Sequence, residues 1–269
     1  ADRLGVISPS GEIIYPDMQM IIFSENILNS SPNSKIVFDV KCSNLLSESI
    51  TKKNGIPIMC KTGHTFIKEA IRNESALLGG EMSGHIFFND RWPGFDDGIY
   101  AAARLLEIIS ERKESNYLFD KLPHLCSTPE INLYSSDDEK FKIVESFKKT
   151  YNFPDANLID IDGVRLEFPD GWGLLRASNT SPVLVLRFEA NSEEALDHIK
   201  NKFKQVLEEI NSIRPWDCSE DTSPYLKGHA YSKIKGFQKF CQQSCKNVKD
   251  NDKELKKKLT RLQYDVTQN

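Results

Sequence analysis

A short polar segment, residues 176–182, carries the side chains needed to hold a phosphate group. It reads Arg-Ala-Ser-Asn-Thr-Ser-Pro and offers a guanidinium, three hydroxyls and an amide. An arginine can grip two phosphate oxygens at once, while hydroxyl and backbone N–H groups donate to the others. A polar β-turn with an incidental arginine is the alternative for this segment taken alone. The candidate phosphate-binding residues are Arg176, Ser178, Asn179 and Thr180.

A glycine-rich segment, residues 79–85, is a candidate for sugar recognition. Its glycines allow the backbone to approach a ligand closely. Glu81, Ser83 and His85 alternate, so an extended loop would direct them the same way. A carboxylate that accepts hydrogen bonds from neighbouring hydroxyls, beside a hydroxyl and an imidazole, is suited to binding a sugar. The alternative is a glycine-rich turn that leads into the apolar residues 86–88.

Three other positions could add to such a site. Residues 61–64, Lys-Thr-Gly-His, lie between a predicted strand and a predicted helix, where free N–H groups favour an anion or a polar ligand. Lys41 follows the apolar segment 35–40, at the edge where α/β sheets collect ligands. Asp2 could supply one carboxylate to Mg²⁺, which takes one or two carboxylates plus phosphate and water oxygens. A capping role for His64 and a solvated Lys41 are the alternatives.

The elements that must position these residues change character along the chain. Up to about residue 122, β-prone and helical segments alternate, which predicts an α/β domain with Asp17 capping its first helix. The helix predicted over residues 97–112 has one apolar face, made of Ile99, Ala102, Ala103, Leu106 and Ile109.

From about residue 124 the pattern predicts an α+β unit with an antiparallel sheet. Strands are predicted at residues 131–134, 158–161, 164–168, 172–178 and 182–190, with helices at 137–151 and 192–211. Asp162-Gly163 is a hairpin-turn signal. The second helix has an apolar stripe of Leu196, Ile199, Phe203, Val206, Leu207 and Ile210.

Composition indicates a soluble protein of the cytoplasm. The net charge of −4 gives no reason to expect nucleic acid or a membrane as partner, and no run of about 18 apolar residues exists. The cysteines form no C-x-x-C pair and suit a reducing compartment: Cys42, Cys60, Cys126, Cys218, Cys241 and Cys245.

Five motifs in order resemble the α-D-phosphohexomutases, with the greatest similarity to the bacterial phosphomannomutase/phosphoglucomutase group. They are Lys41 with its strand, K-T-G-H at 61–64, G-E-M-S-G-H at 80–85, R-W-P-G-F-D-D-G at 91–98 and R-A-S-N-T-S-P at 176–182. The resemblance extends over residues 1–213.

The resemblance implies an enzyme with four domains around a cleft. Such enzymes interconvert hexose 1-phosphates and hexose 6-phosphates of glucose or mannose, through a phosphoserine, a bisphosphate intermediate and Mg²⁺. Residues 1–12 would be a remnant of domain two with the end of its metal loop, 13–123 the sugar-binding domain three, and 124–213 the phosphate-binding, TATA-box-binding-protein-like domain four. Beyond the resemblance, the lack of periodicity after residue 213 and the later charged run predict a linker and a charged extension over residues 214–269, helical or disordered.

The resemblance also implies a role for each candidate residue. Asp2 matches the last aspartate of the metal loop, and Arg3 matches the catalytic arginine after it. His64 and Lys41 match residues that reach the substrate from domain three. Glu81 and Ser83 match the pair that binds sugar hydroxyls, and His85 lies beside them. The residues that match the clamp on the non-reacting phosphate are Arg176, Ser178, Asn179 and Thr180.

Some features depart from the family pattern or leave alternatives open. Met18 stands where the similar bacterial enzymes tend to carry an arginine, and Met82 argues against phosphoglucosamine mutases, which resemble G-E-Q-S-G-H at this loop. A non-catalytic phosphosugar-binding module is an alternative from another class. The preference between glucose and mannose and the oligomeric state are left open.

The last segment of the chain carries a separate and much shorter resemblance. Residues 254–268 are similar to the opening helix of a methionine sulfoxide reductase B domain, without any of its catalytic cysteines. A charged amphipathic extension is the favoured interpretation of this segment.

The chain by itself is expected not to isomerise hexose phosphates. It opens on Ala1-Asp2-Arg3 as if cut from a longer protein, and the domain with the nucleophilic serine and the first two aspartates of the metal loop have no counterpart in it. A coupled assay of the purified chain checks this expectation, and turnover above background would contradict it.

Overall fold

The computed structural model describes residues 2–111 and 116–210, beginning with a small hairpin. Strands β1 (Val6–Ile7) and β2 (Ile13–Ile14) pair antiparallel. Ile14 is buried in the core, whereas its neighbour Ile13 lies opposite Ile7 on the outer face, where both are about two-thirds exposed. The expectations for residues 214–269 lie outside the described residues.

A mixed four-stranded sheet, here called the first sheet, forms the centre of the first half of the chain. Its strand order is β4-β3-β5-β6, in which β3 is parallel to β4 and β5, and β6 is antiparallel to β5. The strands are β3 (Lys35–Asp39), β4 (Ile56–Cys60), β5 (Leu78–Gly80) and β6 (Ile86–Phe88). This arrangement confirms the expected α/β architecture.

Helices cover both faces of the first sheet because its strand residues are apolar in both directions. Ile36 and Phe38 pack in one core, and Val37 between them packs in another. The first core contains residues of α1 (Pro16–Ser30), α2 (Asn44–Lys52) and α4 (Gly98–Ser110), with Leu118 and Phe119 further along the chain. The second core contains residues of α3 (His64–Glu74).

The apolar face predicted for α4 is wrong. Ile99 and Leu106 are 71% and 65% exposed, and the buried side chains are Ala101, Arg104, Leu105 and Ile108. The helix has apolar residues on more than one face, so its sequence period is ambiguous. Arg104 decides the orientation, because its guanidinium stacks 4.4 Å from the Phe88 ring and pairs with Asp90 at 2.8 Å.

An antiparallel sheet, the second sheet, follows the short helix α5 (Asn116–Asp120). The order is β7-β12-β11-β10-β9, and β8 also pairs with β12. The strands are β7 (Cys126–Ser127), β8 (Ile131–Tyr134), β9 (Asn157–Ile159), β10 (Val164–Phe168), β11 (Gly171–Ala177) and β12 (Val183–Ala190).

Helices α6 (Asp137–Thr150) and α7 (Glu193–Glu209) cover one face of the second sheet. Phe147 of α6, Phe188 of β12 and Phe203 of α7 form its aromatic centre. The predicted stripe of α7 is confirmed, because its residues lie in or against this core. The second unit is therefore α+β, as expected. None of the helices in residues 2–111 and 116–210 is long and apolar enough to cross a membrane.

The uncovered face of the second sheet packs on the end of β3 through Trp172. This indole is 1% exposed and forms a small core with Val40 and Leu174. The guanidinium of Arg165 stacks 3.8 Å from the indole and donates hydrogen bonds to the carbonyl oxygens of Val40 and Cys42. The buried arginine thus satisfies backbone groups that the strand end leaves without partners.

A buried ion pair links α1 to the second sheet beside Trp172. The Asp17 carboxylate accepts from the backbone N–H of Ser43 at 3.0 Å and lies 3.4 Å from the Arg187 guanidinium of β12. Asp17 therefore pairs α1 with the second sheet and is not the predicted cap of α1, whose cap position is Tyr15. Both charged side chains are under 5% exposed.

Replacing Arg187 by methionine is expected to lower the free energy of unfolding by about 3 kcal/mol, because it leaves a buried carboxylate unpaired. Urea unfolding of the two proteins measures this difference. The matched control is Arg72→Met on the exposed surface of α3, which should change stability by no more than about 0.5 kcal/mol. A loss below about 1 kcal/mol for Arg187→Met would contradict the importance of the ion pair.

Candidate functional site

The candidate residues of the first half meet at one edge of the first sheet. Strands β3, β4 and β5 are parallel, so their carboxyl ends lie at the same edge. Lys41 follows β3, the Lys61–His64 segment follows β4, and Glu81 follows β5. The second sheet brings Arg176, near the end of β11, to the same place.

Asp39 connects these loops, and sequence reasoning missed it. Its carboxylate is fully buried and accepts from the Thr62 hydroxyl at 3.1 Å, the Met82 N–H at 3.2 Å and the Cys42 thiol at 3.1 Å. One oxygen also lies 3.9 Å from the Lys41 Nζ. An acidic residue at the end of an apolar strand was the available signal, because a buried charge requires such partners.

Lys41 is buried and paired rather than solvated. Its Nζ lies 2.7 Å from a carboxylate oxygen of Glu130, a residue that sequence reasoning also missed. Burial alone would lower the pKa of Lys41, but the carboxylates of Asp39 and Glu130 outweigh it and raise that pKa. Arg176 acts in the lowering direction, so two cations approach each other at this edge. Converging cations favour an anionic ligand.

The glycine-rich segment is a turn and not the extended loop that the alternation suggested. The N–H of Gly84 donates to the carbonyl of Glu81 at 3.0 Å, and Gly84 has a φ of +98°, which glycine adopts readily. The turn still joins two of the candidates, because the Ser83 hydroxyl donates to Oε2 of Glu81 at 2.8 Å.

Glu81 presents an acceptor without a partner. Its Oε1 is buried and has no hydrogen-bond partner among the described residues. Burial raises the pKa of Glu81; the Ser83 hydrogen bond opposes this effect and the charge of Asp39 adds to it. A buried acceptor costs free energy until a donor reaches it, so this oxygen is suited to a ligand hydroxyl.

His85 contacts Asp96 in the motif 91–98. Its Nδ1 lies 2.8 Å from Oδ2 of Asp96, and Lys68 lies 3.6 Å from the other oxygen. Burial opposes ionisation of Asp96, but backbone and His85 hydrogen bonds together with Lys68 lower the pKa of this carboxyl. An ionised carboxylate only accepts, so Nδ1 carries the proton and Nε2 is the nitrogen able to take up another.

The remaining candidates of the first half lie around His85. His64, exposed at the start of α3, has its ring 6.2 Å from that of His85. Arg3 pairs through its backbone with His85 in an isolated antiparallel bridge. Asp2 is exposed, and its carboxylate lies 3.9 Å from Nδ1 of His85.

The residues around Asp2 do not by themselves fit a magnesium site. Asp2, His85 and Asp96 have potential ligand atoms within 4.8 Å of one another. Mg²⁺ requires near-octahedral oxygen ligands, whereas this group includes an imidazole nitrogen, and its Asp96 is already paired with Lys68. Asp2 can contribute only one carboxylate to such an ion.

The candidate phosphate segment is the turn between β11 and β12. Arg176 is 5% exposed, and its Nε donates to Asp162 at 3.1 Å. The Ser178 hydroxyl accepts from the N–H groups of Thr180 and Ser181, so it shapes the turn, and Asn179 and Thr180 are exposed.

Lys140 of α6 supports this turn and was missed in the sequence. Its Nζ donates to the carbonyl of Ser181 at 3.1 Å and pairs with Asp137 at 2.6 Å. The lysine is 3% exposed, which is unusual for this residue type and indicates a structural role.

Comparison with known proteins gives a consistent result across the described residues. Residues 15–124 match the family model described as phosphoglucomutase/phosphomannomutase, alpha/beta/alpha domain III, and residues 130–206 match that family's C-terminal domain. The phosphomannomutase/phosphoglucomutase of Pseudomonas aeruginosa is 48% identical over 215 residues, which cover 80% of this chain and 46% of that protein. The phosphoglucomutase of Neisseria gonorrhoeae is 50% identical over 210 residues, 77% of this chain and 46% of its own length.

A solved structure from Burkholderia thailandensis, a phosphoglucomutase/phosphomannomutase family protein, superposes with a TM-score of 0.75 at 44% identity. The match covers 80% of this chain and 46% of that one. This chain therefore spans about half the length of the relatives it matches. Two domain matches in register and relatives of this identity show that the chain belongs to the phosphoglucomutase/phosphomannomutase family.

Proposed function

We propose that this chain is the sugar- and phosphate-recognition half of a phosphohexomutase that interconverts the 1-phosphates and 6-phosphates of glucose or mannose. The observation that carries the proposal is the buried, unpartnered Oε1 of Glu81 beside the Ser83 hydroxyl. A carboxylate with one free oxygen, next to a hydroxyl oxygen whose proton it already holds, can accept hydrogen bonds from neighbouring hydroxyls of a hexose.

The second part of the proposal is a phosphate clamp at Arg176. Among the described residues, Asp162 is the hydrogen-bond partner of its Nε, which leaves the two terminal nitrogens for a ligand. Lys41 adds a second cation, and the exposed side chains of Asn179 and Thr180 can donate as well. This clamp would hold the phosphate that does not react, while the sugar hydroxyls meet Glu81.

Two separate recognition points suit a mutase. Such an enzyme must accept a 1-phosphate and a 6-phosphate in opposite orientations, so it needs contacts that are common to both poses. Hydroxyls shared by the two poses would bind Glu81 and Ser83, and either phosphate could occupy the clamp. The same contacts accept both glucose and mannose, which agrees with the paired names of the relatives.

His85, His64 and Arg3 are the proposed groups nearest the reacting phosphate. Asp96 holds His85 with Nε2 available for a proton, which suits an acid or base that acts on a sugar hydroxyl. Arg3 would stabilise phosphoryl charge. Mg²⁺, if bound in the whole protein, would neutralise phosphoryl charge, and Asp2 would be its one ligand from this chain.

The cytoplasm is the proposed location, because a reducing compartment keeps cysteines as free thiols. Cys42, Cys60 and Cys126 are free thiols in the described part of the chain. Burial raises the pKa of Cys60 to about 12, so this thiol is poorly reactive.

Replacing Glu81 by glutamine should remove one component of the pH dependence of ligand binding. The raised pKa means that Glu81 becomes protonated at a higher pH than an ordinary glutamate, so its acceptor role should be lost early as the pH falls. Titration with mannose 1-phosphate at several pH values, read by ³¹P NMR, measures this effect. Ionisation of the ligand phosphate is common to both proteins, so identical pH profiles would refute the role of Glu81.

Replacing Arg176 by alanine should weaken binding of glucose 1-phosphate and mannose 1-phosphate by about 10-fold to 100-fold, since charge-assisted hydrogen bonds are lost. Arg176→Lys keeps the charge without the planar guanidinium, so its affinity should lie between those of Arg176→Ala and the unchanged chain. The same ³¹P titration gives the dissociation constants. Arg72→Ala, at an exposed position of α3, is the control and should bind as the unchanged chain does. Equal affinity in all four proteins would exclude the clamp.

A further inference from the structure

The hairpin tip between β9 and β10 lies against the backbone of Arg176. The Asp162-Gly163 pair has the sequence of a turn, and Gly163 has a φ of +89°. A Cβ at Gly163 would lie 2.4 Å from the carbonyl oxygen of Leu175 and 2.8 Å from the Cα of Arg176. The glycine is therefore required for this close approach as well as for the turn.

This approach places the Asp162 carboxylate between two elements of the candidate site. A single oxygen, Oδ2, accepts from Nε of Arg176 at 3.1 Å and from the backbone N–H of Thr62 at 3.0 Å. Arg176 belongs to the second sheet, and Thr62 begins the turn before α3 beside the first sheet. Asp162 is 14% exposed, so both hydrogen bonds are largely shielded from water.

The contacts continue from Thr62 to the sugar-binding turn. The Thr62 hydroxyl donates to Oδ2 of Asp39, whose other oxygen accepts from the N–H of Met82, next to Glu81. A continuous set of hydrogen bonds therefore joins the guanidinium of Arg176 to the turn that carries Glu81. The distance between the two recognition points depends on these shared acceptors.

We propose that Asp162 is a positioning residue that orients Arg176 for phosphate binding and fixes it relative to the first sheet. The proposal rests on the proposed function of Arg176 as a phosphate clamp. A bond to Nε holds the plane of the guanidinium and leaves both terminal nitrogens available for two phosphate oxygens. The carboxylate also offsets part of the positive charge of Arg176, which weakens the electrostatic attraction for phosphate. Asp162 therefore favours phosphate binding by orienting the guanidinium and not by adding to that attraction.

Asp162→Asn and Asp162→Ala separate geometry from charge. The asparagine oxygen can occupy the position of Oδ2 and accept from the same two donors, but it carries no charge. Alanine removes the acceptor and the charge together. If Asp162 acts by positioning, Asp162→Asn should bind phosphate as the unchanged chain does, and Asp162→Ala should bind it more weakly. If its role is purely electrostatic, both variants should bind phosphate more tightly.

The first measurement follows the Nε–H of Arg176 by ¹H–¹⁵N NMR in the 269-residue chain without ligand. Comparison with Arg176→Lys assigns the signal. A dispersed, exchange-protected signal is expected for the unchanged chain and for Asp162→Asn, and its loss is expected for Asp162→Ala. Asp162→Ser, which keeps a turn-forming side chain too short to reach Arg176, should reproduce the loss if the alanine variant fails to fold. A signal unchanged in the alanine or serine variant would overturn the proposal.

The second measurement is the ³¹P titration with mannose 1-phosphate. Affinity is expected to fall about tenfold for Asp162→Ala and to stay within about threefold for Asp162→Asn. In an Arg176→Ala background, Asp162→Ala should have no further effect, because it acts through the arginine. Tighter binding by the asparagine variant, or an undiminished effect in that background, would overturn the proposal.

The two measurements also distinguish this proposal from the proposed function. If the unchanged chain binds no hexose phosphate while the Nε–H signal responds as expected, the recognition function of this chain fails and the positioning of Arg176 stands. If binding depends on Arg176 but neither measurement responds to Asp162, the recognition function stands and the positioning role fails.

Discussion

The buried carboxylate of Asp39 is the interaction on which the candidate site depends. Its side chain is fully buried at the end of β3, and an isolated charge there would cost several kcal/mol. The cost is offset by the hydrogen bonds that it accepts from Thr62, Met82 and Cys42 and by the charge of Lys41 at 3.9 Å. Loops that follow three different strands are thereby held at one edge, which is the condition for a shared ligand.

The second sheet completes this site because its uncovered face packs on the end of β3 through Trp172, with charged side chains around the indole. Arg165, Arg187 and Glu189 point to that side, and Trp172 packs between them with its N–H bonded to Glu189. The same strands that anchor the interface, β11 and β12, are joined by the turn of the phosphate segment. The placement of Arg176 is thus a consequence of the contact between the sheets. The hydrogen bond from its Nε to Asp162 also holds it there.

Much of the fold could be predicted because its signals are local. The alternation of strands and helices, the Asp162-Gly163 turn and the stripe of α7 each depend on neighbouring residues, and the structure contains them all. The face of α4 was predicted wrongly, because several faces of that helix are apolar and only the contact of Arg104 with Phe88 and Asp90 selects one. Asp17 was misassigned as a cap for a similar reason, since its partner Arg187 lies 170 positions away.

The sequence by itself determined the family resemblance, the two kinds of domain and the types of side chain available for phosphate and sugar. Residue types and spacing carry that information, because glycine turns, apolar periods and polar clusters are short-range features. Only the tertiary structure decided which charges pair with which. It placed Asp39, Glu130, Asp96, Lys140 and Asp162 against the candidates. A buried polar group is stable only when it has a hydrogen-bond or charge partner, and the partners of these residues come from other segments of the chain.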